Sequence, residues 1–282
     1  MTPPRSAIVT VAMGQSTEKL DYTFTSFADH NPGIPLHAFI LGDRLPTRQL
    51  PQVTYHLVPP IPDFSDPLRE IYFRRMELID QLDVEYALVV DSFDVLCLQP
   101  LPPFEKLVGD AALAAVTEHQ GSRYLMGQGY TANFLNCGVV FWNIPASRDI
   151  RRQIVERGRR HFRTIADDQF CLNEVVQTLY YDQLRILPCQ YNYRCHLLPK
   201  RQWNIASVRH LDGVKLYHNA TCIEQAKQIA GKNSKASLIA LPSDLRPLTK
   251  QEQFLRKVQL ALRPHLVNWR AELLSRFGNS SH

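Results

Sequence analysis

The sequence predicts an α/β protein: a mixed, mainly parallel sheet flanked by helices, followed by a basic, largely helical extension. Three observations predict it. Short apolar runs alternate with helical stretches, the arrangement that builds parallel sheets through right-handed crossovers. One of these runs, Tyr86-Ala87-Leu88-Val89-Val90, ends abruptly in Asp91-Ser92-Phe93-Asp94. Its Val and Leu content suits a central strand covered on both faces, so the acids must emerge at its carboxyl end, where open α/β sheets bind ligands. Finally, charge is unevenly spread. Residues 200–282 hold 14 Lys and Arg against 5 Asp and Glu, a balance of +9, which leaves −4 for residues 1–199.

Composition is that of a globular enzyme, 45% hydrophobic and 21% charged over 282 residues, and is too apolar for disorder. No secretion signal is apparent at the amino terminus, and no run of about 18 apolar residues predicts a membrane-spanning helix. The six cysteines lack C-x-x-C or zinc spacing and read as buried thiols in a reducing, cytoplasmic compartment. The sequons at Asn219 and Asn279 read as chance matches.

Taken in order, Ala7–Ala12 is the first strand, and Met13-Gly14-Gln15-Ser16 a tight turn whose small polar residues can approach a ligand. A helix follows from about Thr17 to His30. Leu36–Leu41 and Val53–Val58 are the next strands. After the Pro-rich connection at 59–63, Pro67 to Leu82 reads as a helix carrying Arg74 and Arg75 just ahead of the acid strand; one of the two could reach a diphosphate. Pro100, Pro102 and Pro103 break the chain before Ala111–Thr117, a strand that delivers Glu118.

In Asn133 to Asn143, Gly138 interrupts an apolar strand, which implies a bulge or the close approach of another group, and Asn136 is a polar group at a crowded position that needs partners. Ser147 is the expected N-cap of a helix to about His161, whose Arg148, Arg151, Arg152, Arg159 and Arg160 form a cationic, solvated face. Asp167 starts another helix, with Asp168 explicable by capping alone. Leu184–Leu187 is a short strand, Pro188 to Tyr193 an aromatic loop, and Val214 to Asn219 a late strand that delivers His218. From Leu248 to Phe277, Leu255, Val258, Leu262, Leu266, Trp269, Leu273 and Phe277 form a stripe opposite Arg and Lys. The stripe suits either packing on the sheet domain or an interfacial helix on an anionic membrane surface.

In this order the segments resemble nucleotide-sugar glycosyltransferases of the GT-A (Rossmann-like) fold, most closely glycosyltransferase family 8. Asp91-Ser92-Phe93-Asp94 stands where that family has Asp-x-Asp, in a D-x-x-D form that resembles collagen-type lysyl glucosyltransferases. Ile71-Tyr72-Phe73-Arg74 looks like its Tyr-x-Arg helix, Asn136-Cys137-Gly138-Val139 its Asn-x-Gly-Val strand, and Asp168-Gln169 with Asn173 its acceptor-side helix. Pro188 with Tyr191-Asn192 resembles its Pro-x-x-Tyr-Asn loop, and His218 its third metal ligand. The match covers roughly residues 6–222, so the chain divides into a catalytic domain at 1–222 and an extension at 223–282. Two departures stand out: the wider acid spacing, and Asn219-Ala220-Thr221 after His218 where the family has Gly and Lys-Pro-Trp.

The resemblance implies transfer of a sugar from a UDP-sugar to an acceptor hydroxyl, with retention of configuration and dependence on Mn²⁺ or Mg²⁺. Asp91, Asp94 and His218 would bind the metal. Val11, Met13, Gln15, Ser16 and Tyr22 would hold base and ribose, while Arg74, Asp91 and Ser92 would meet the nucleotide. Glu118, Asn136, Gly138, Asp168 and Gln169 would line the donor sugar, with Asp168 or Gln169 close to the reacting carbon. The acceptor would be a carbohydrate, a lipid-linked sugar or a protein. Residues 248–282 would dock a cytoplasmic enzyme on an anionic membrane, and no nucleic-acid partner is expected. Two other readings compete. A sugar nucleotidyltransferase needs a cationic phosphate loop after the first strand, which Met13-Gly14-Gln15-Ser16 does not offer. A nucleic-acid or scaffold protein would use the basic tail alone.

Overall fold

The computed structural model describes residues 5–14, 17, 20–59, 67–92, 94–117, 134–161, 167–193 and 214–218. Strands β1 (Ser6–Met13), β2 (Leu36–Leu41), β3 (Val53–Val58) and β4 (Tyr86–Val90) alternate with helices α1 (Leu20–His30) and α2 (Pro67–Leu78). Then come β5 (Val95–Cys97), α3 (Phe104–Val108), β6 (Leu113–Thr117), β7 (Leu135–Asn143), α4 (Ile144–His161), α5 (Asp167–Leu179), β8 (Leu184–Ile186) and β9 (Leu216–His218).

Among the described residues, seven strands form one sheet in the order β3-β2-β1-β4-β7-β6-β8, and β5 pairs with β9 separately. The β1–β2, β1–β4, β2–β3 and β6–β8 ladders are parallel, whereas β7 runs antiparallel to both neighbours. The sheet is therefore mixed and mainly parallel, as expected. The reversal of β7 matters for function, because it brings the beginning of β7 to the same edge as the end of β4.

Both faces of the sheet are covered, which is why β1 and β4 are apolar at successive positions. Ala7, Val9, Ala87 and Val89 face a core shared with α2, α4 and α5. Ile8, Ala12, Leu88 and Val90 face the opposite core, shared with α1 and α3. Helix α3 escapes the sequence reading because five residues behind three prolines carry too little periodicity to register.

The α2–α4 contact depends on two residues. Arg151 corrects the expectation of a wholly solvated cationic face: it is 2% exposed. Its guanidinium donates to both Asp80 carboxylate oxygens at 3.0 and 2.7 Å and to the carbonyls of Met76 and Ile144 at 2.5 and 3.0 Å. A buried cation is tolerated when its donors are taken up this completely. Ser147 is likewise not the N-cap. The helix begins earlier, where Asn143 Oδ1 accepts from Ala146 N at 3.2 Å, and the Ser147 hydroxyl is buried beneath Arg151 Nε at 3.0 Å.

Gly158 is the other residue. A Cβ there would lie 2.0 Å from Phe73 Cζ, in a ring that is 1% exposed. Alanine in a helix gains about 1 kcal/mol over glycine, but overpacking a filled core costs about 1–3 kcal/mol. The contact is severe enough for the second effect to win. Gly158→Ala should therefore lower stability in urea unfolding by about 1–2 kcal/mol; a variant more stable than wild type would show that Phe73 has room to move.

Candidate active site

The acids emerge where the apolar ladder runs out. Val90 pairs with Val139 as the last step of β4 against β7, and the Asp91 amide then donates to Gly138 O at 2.8 Å. Beyond this point β4 has no core to enter, and the chain turns into β5. There Val95 pairs antiparallel with His218, so the register of this two-stranded sheet places the histidine beside Asp94. Asp91 and Asp94, close neighbours in sequence, thus meet the distant His218 at one edge.

Asp91, Asp94 and His218 each offer a ligand atom within 4.8 Å of the others, and they are the one such group of three or more among the described residues. His218 Nε2 lies 3.3 Å from Asp91 Oδ2 and 3.5 Å from Asp94 Oδ2. The Asp91 side chain keeps 36% of its surface, enough to receive a ligand, whereas those of Asp94 and His218 keep 14% and 4%. Asp94 Oδ1 is buried without a hydrogen-bond partner among the described residues. An orphaned carboxylate oxygen ordinarily costs about 1–3 kcal/mol or more, and a cation would satisfy it. Two carboxylates with one imidazole form a hard-to-borderline donor set that fits Mg²⁺ or Mn²⁺ better than thiolate-seeking metals.

Gly138 makes the convergence possible. A Cβ at that position would sit 2.3 Å from Asp91 Oδ2 and 2.4 Å from His218 Cε1. The glycine expected from the sequence to permit a close approach does so, and the approaching groups are two of the three candidate ligands.

Behind the acids lies a buried cation. Arg75, 6% exposed, donates to Asp91 Oδ1 at 2.8 Å and contacts Asp168 Oδ2 through its other terminal nitrogen. That nitrogen also lies 2.8 Å from Cys137 Sγ, and the Tyr72 ring sits below the guanidinium at 5.8 Å. Burial pushes the Asp91 carboxyl up, but the neighbouring His218 and Arg75 outweigh it and hold the group well below the usual carboxylate range. Burial wins at Asp168, whose carboxyl is raised against the pull of Arg75, and burial pushes the Cys137 thiol up so that it stays protonated. Asn136 Nδ2 donates to Gln169 Oε1 at 3.2 Å, which ties β7 to the start of α5.

These positions revise several expectations. The resemblance drew attention to Arg74, but the structure places Arg75 against the acids; Arg74 pairs with Glu77 at 3.5 Å. Val11, two residues before the end of β1, is 6% exposed, pairs with Phe39 of β2 and packs its side chain in the core. Met13 ends β1 at that edge, and Ser92 is half-buried in the turn after Asp91. Asn136, Gly138, Asp168 and Gln169 come together with the acids. Gln15, Ser16 and Glu118 lie outside the described residues, as do the Tyr22 side chain and the extension at 223–282. Arg75 is the one of the two α2 arginines that reaches this cluster, and Cys137, which the sequence reading gives no role, joins it. The detectable signal for Arg75 is its spacing four after Ile71 and three before Leu78, which puts it on their buried face of α2.

Gly138→Ala tests the geometry directly. The added methyl must displace Asp91 or His218, so Mn²⁺ affinity measured by calorimetry should fall at least about tenfold, as it does when ligand orientation is disturbed. Unchanged affinity in a folded variant would show that these residues do not converge on an ion.

No protein-family model matches the sequence, and a search of curated proteins returns no match. Solved structures do match. The galactosyltransferase LgtC, in complex with donor and acceptor sugar analogues, aligns with a TM-score of 0.56 at 17% identity over 84% of this chain and 98% of its own. An active-site glutamine-to-glutamate variant of LgtC aligns over the same shares with a TM-score of 0.55 and 17% identity. The bifunctional glycosyltransferase WbbM gives 0.56 at 11% identity, over 84% of this chain and 50% of its own. Identities this low speak to architecture alone. The mixed, mainly parallel sheet with its flanking helices is the GT-A fold shared with these enzymes.

Proposed function

We propose that the protein is a metal-dependent glycosyltransferase that moves a sugar from a UDP-sugar to an acceptor hydroxyl with retention of configuration. The observation that carries this reading is the Asp91, Asp94 and His218 cluster at the carboxyl edge of a GT-A sheet. LgtC, which shares the fold, was crystallised with donor and acceptor sugar analogues, and its active site contains a glutamine; here Gln169 stands next to Asp168 in the acid cluster.

Asp91, Asp94 and His218 would hold Mn²⁺ or Mg²⁺, which when bound supplies positive charge against the diphosphate leaving group. Arg75 fixes Asp91 and Asp168 in one frame, so the metal side and the sugar side of the site cannot move independently. Asp168 and Gln169 at the start of α5 face the donor sugar. A carbohydrate or lipid-linked acceptor suits the reading best, with the basic residues 248–282 docking a cytoplasmic, peripheral enzyme on an anionic membrane. No helix of the described residues is long and apolar enough to cross one.

Two experiments test this. UDP at about 100 times its Kd should stabilise the folded protein by about 2.7 kcal/mol, seen as a raised Tm that requires Mn²⁺. Asp94→Ala and His218→Ala should each abolish both the shift and UDP-sugar turnover while retaining the wild-type circular dichroism. A UDP shift that persists without metal, or full turnover in either variant, would sink the assignment. For the tail, removal of residues 248–282 should abolish sedimentation with phosphatidylserine vesicles and leave turnover of a soluble acceptor intact; undiminished sedimentation would exclude docking by that segment.

A further inference from the structure

The amide chain behind His218 has a defined direction that can be read from backbone groups alone. The Gly138 N–H is a donor only, so the Asn136 atom 3.0 Å from it is the acceptor Oδ1. That same oxygen lies 2.7 Å from Asn192, which must therefore present its Nδ2 donor there. The remaining Asn192 atom is Oδ1, 3.0 Å from His218 Nδ1. An amide oxygen can only accept, so Nδ1 carries the proton. A second backbone group gives the same answer independently. The Cys137 N–H points to Gln169 Oε1 at 3.4 Å, and Gln169 Oε1 accepts from Asn136 Nδ2 at 3.2 Å, which again leaves Asn136 Oδ1 for Asn192.

We infer that Asn192 is a positioning residue that fixes His218 as the Nδ1–H tautomer and aims the Nε2 lone pair between Asp91 and Asp94. The inference rests on the metal reading above for its purpose, although not for its geometry. Two features show that this is more than a filled hydrogen bond. Left to the two carboxylates 3.3 and 3.5 Å away, a neutral His218 would turn its proton toward them and present no lone pair. Asn192 opposes that preference from the other side of the ring. It is itself 1% exposed in the segment that pairs with β9, where Tyr193 N donates to Leu216 O at 2.9 Å and His218 N to Tyr193 O at 2.9 Å. Backbone and side chain of this segment thus hold the histidine together. Partners of this kind that orient a ligand through its distal nitrogen typically contribute 10- to 100-fold in metal affinity.

The test uses the full chain, ¹⁵N-labelled at histidine, with Asn192→Ala, Asn192→Asp and His218→Gln, the last to assign the resonances. Long-range ¹H–¹⁵N correlation spectra of the wild type, at a pH where the ring is neutral, should show His218 protonated at Nδ1, both metal-free and with Mg²⁺. Asn192→Ala should bind Mn²⁺ about 10- to 100-fold more weakly and show a mixed or Nε2–H pattern. Asn192→Asp can still accept the Nδ1 proton but loses the donor to Asn136. It should melt at a lower temperature than wild type yet keep Mn²⁺ affinity within a few-fold, a separation of stability from affinity that a purely structural role would not produce. An Nε2–H wild type overturns the inference, as does a folded Asn192→Ala with wild-type affinity. If Asn192→Ala fails to fold, the wild-type spectrum and Asn192→Asp decide. Should the wild type bind no divalent ion, the metal reading falls, and the metal-free spectrum still judges the tautomer.

Discussion

The site depends on the burial of one guanidinium between two carboxylates from different elements. Arg75 comes from α2, Asp91 from the end of β4 and Asp168 from the start of α5, and each has lost most of its access to water on at least one side. Removing a single partner would strand a buried charge, which costs several kcal/mol. The three elements are therefore held in mutual register by charge compensation as well as by apolar packing. This explains why so polar a cluster can be rigid: carboxylates that face one fixed cation have few alternative arrangements.

Topology then decides what joins the cluster. With every strand parallel, the segment Asn136-Cys137-Gly138 would begin at the far edge of the sheet. The antiparallel placement of β7 between β4 and β6 instead puts its first residues beside Asp91. The small β5–β9 sheet does the same for His218. Both pairings join distant segments, so the site forms only when the tertiary fold is complete, and His218 has no local means of meeting the two acids in the unfolded chain.

Much of this was legible in the sequence because local physics and tertiary outcome agree. An apolar run ending in two acids has to deliver them to an edge, and a glycine in a buried strand has to make room for something. Where the reading went astray, tertiary contact overrode a local rule. Arg151 looks like one solvated arginine among five, and only the Met76 carbonyl at the end of α2, the Ile144 carbonyl and Asp80 explain its burial. Ser147 looks like an N-cap, but Asn143 already supplies that bond. Arg74 and Arg75 differ by about 100° around α2, and the motif's spacing does not reveal which of them points inward. Val11 follows the same alternation as its neighbours and faces the core simply because β1 is covered on both sides.

The unpaired oxygen of Asp94 connects stability to function. Were the site purely structural, selection for stability would favour a donor beside it or a neutral residue in its place, since an unsatisfied buried acceptor works against folding. That oxygen instead stays without a hydrogen-bond partner among the described residues, on a side chain that lies beside Asp91 and His218, while the amide contacts behind His218 run in one consistent direction. Order behind the ligands and an unmet acceptor among them are what a cation site requires: the rear framework prevents the ligands from collapsing onto one another, and the free energy withheld from folding becomes available to binding.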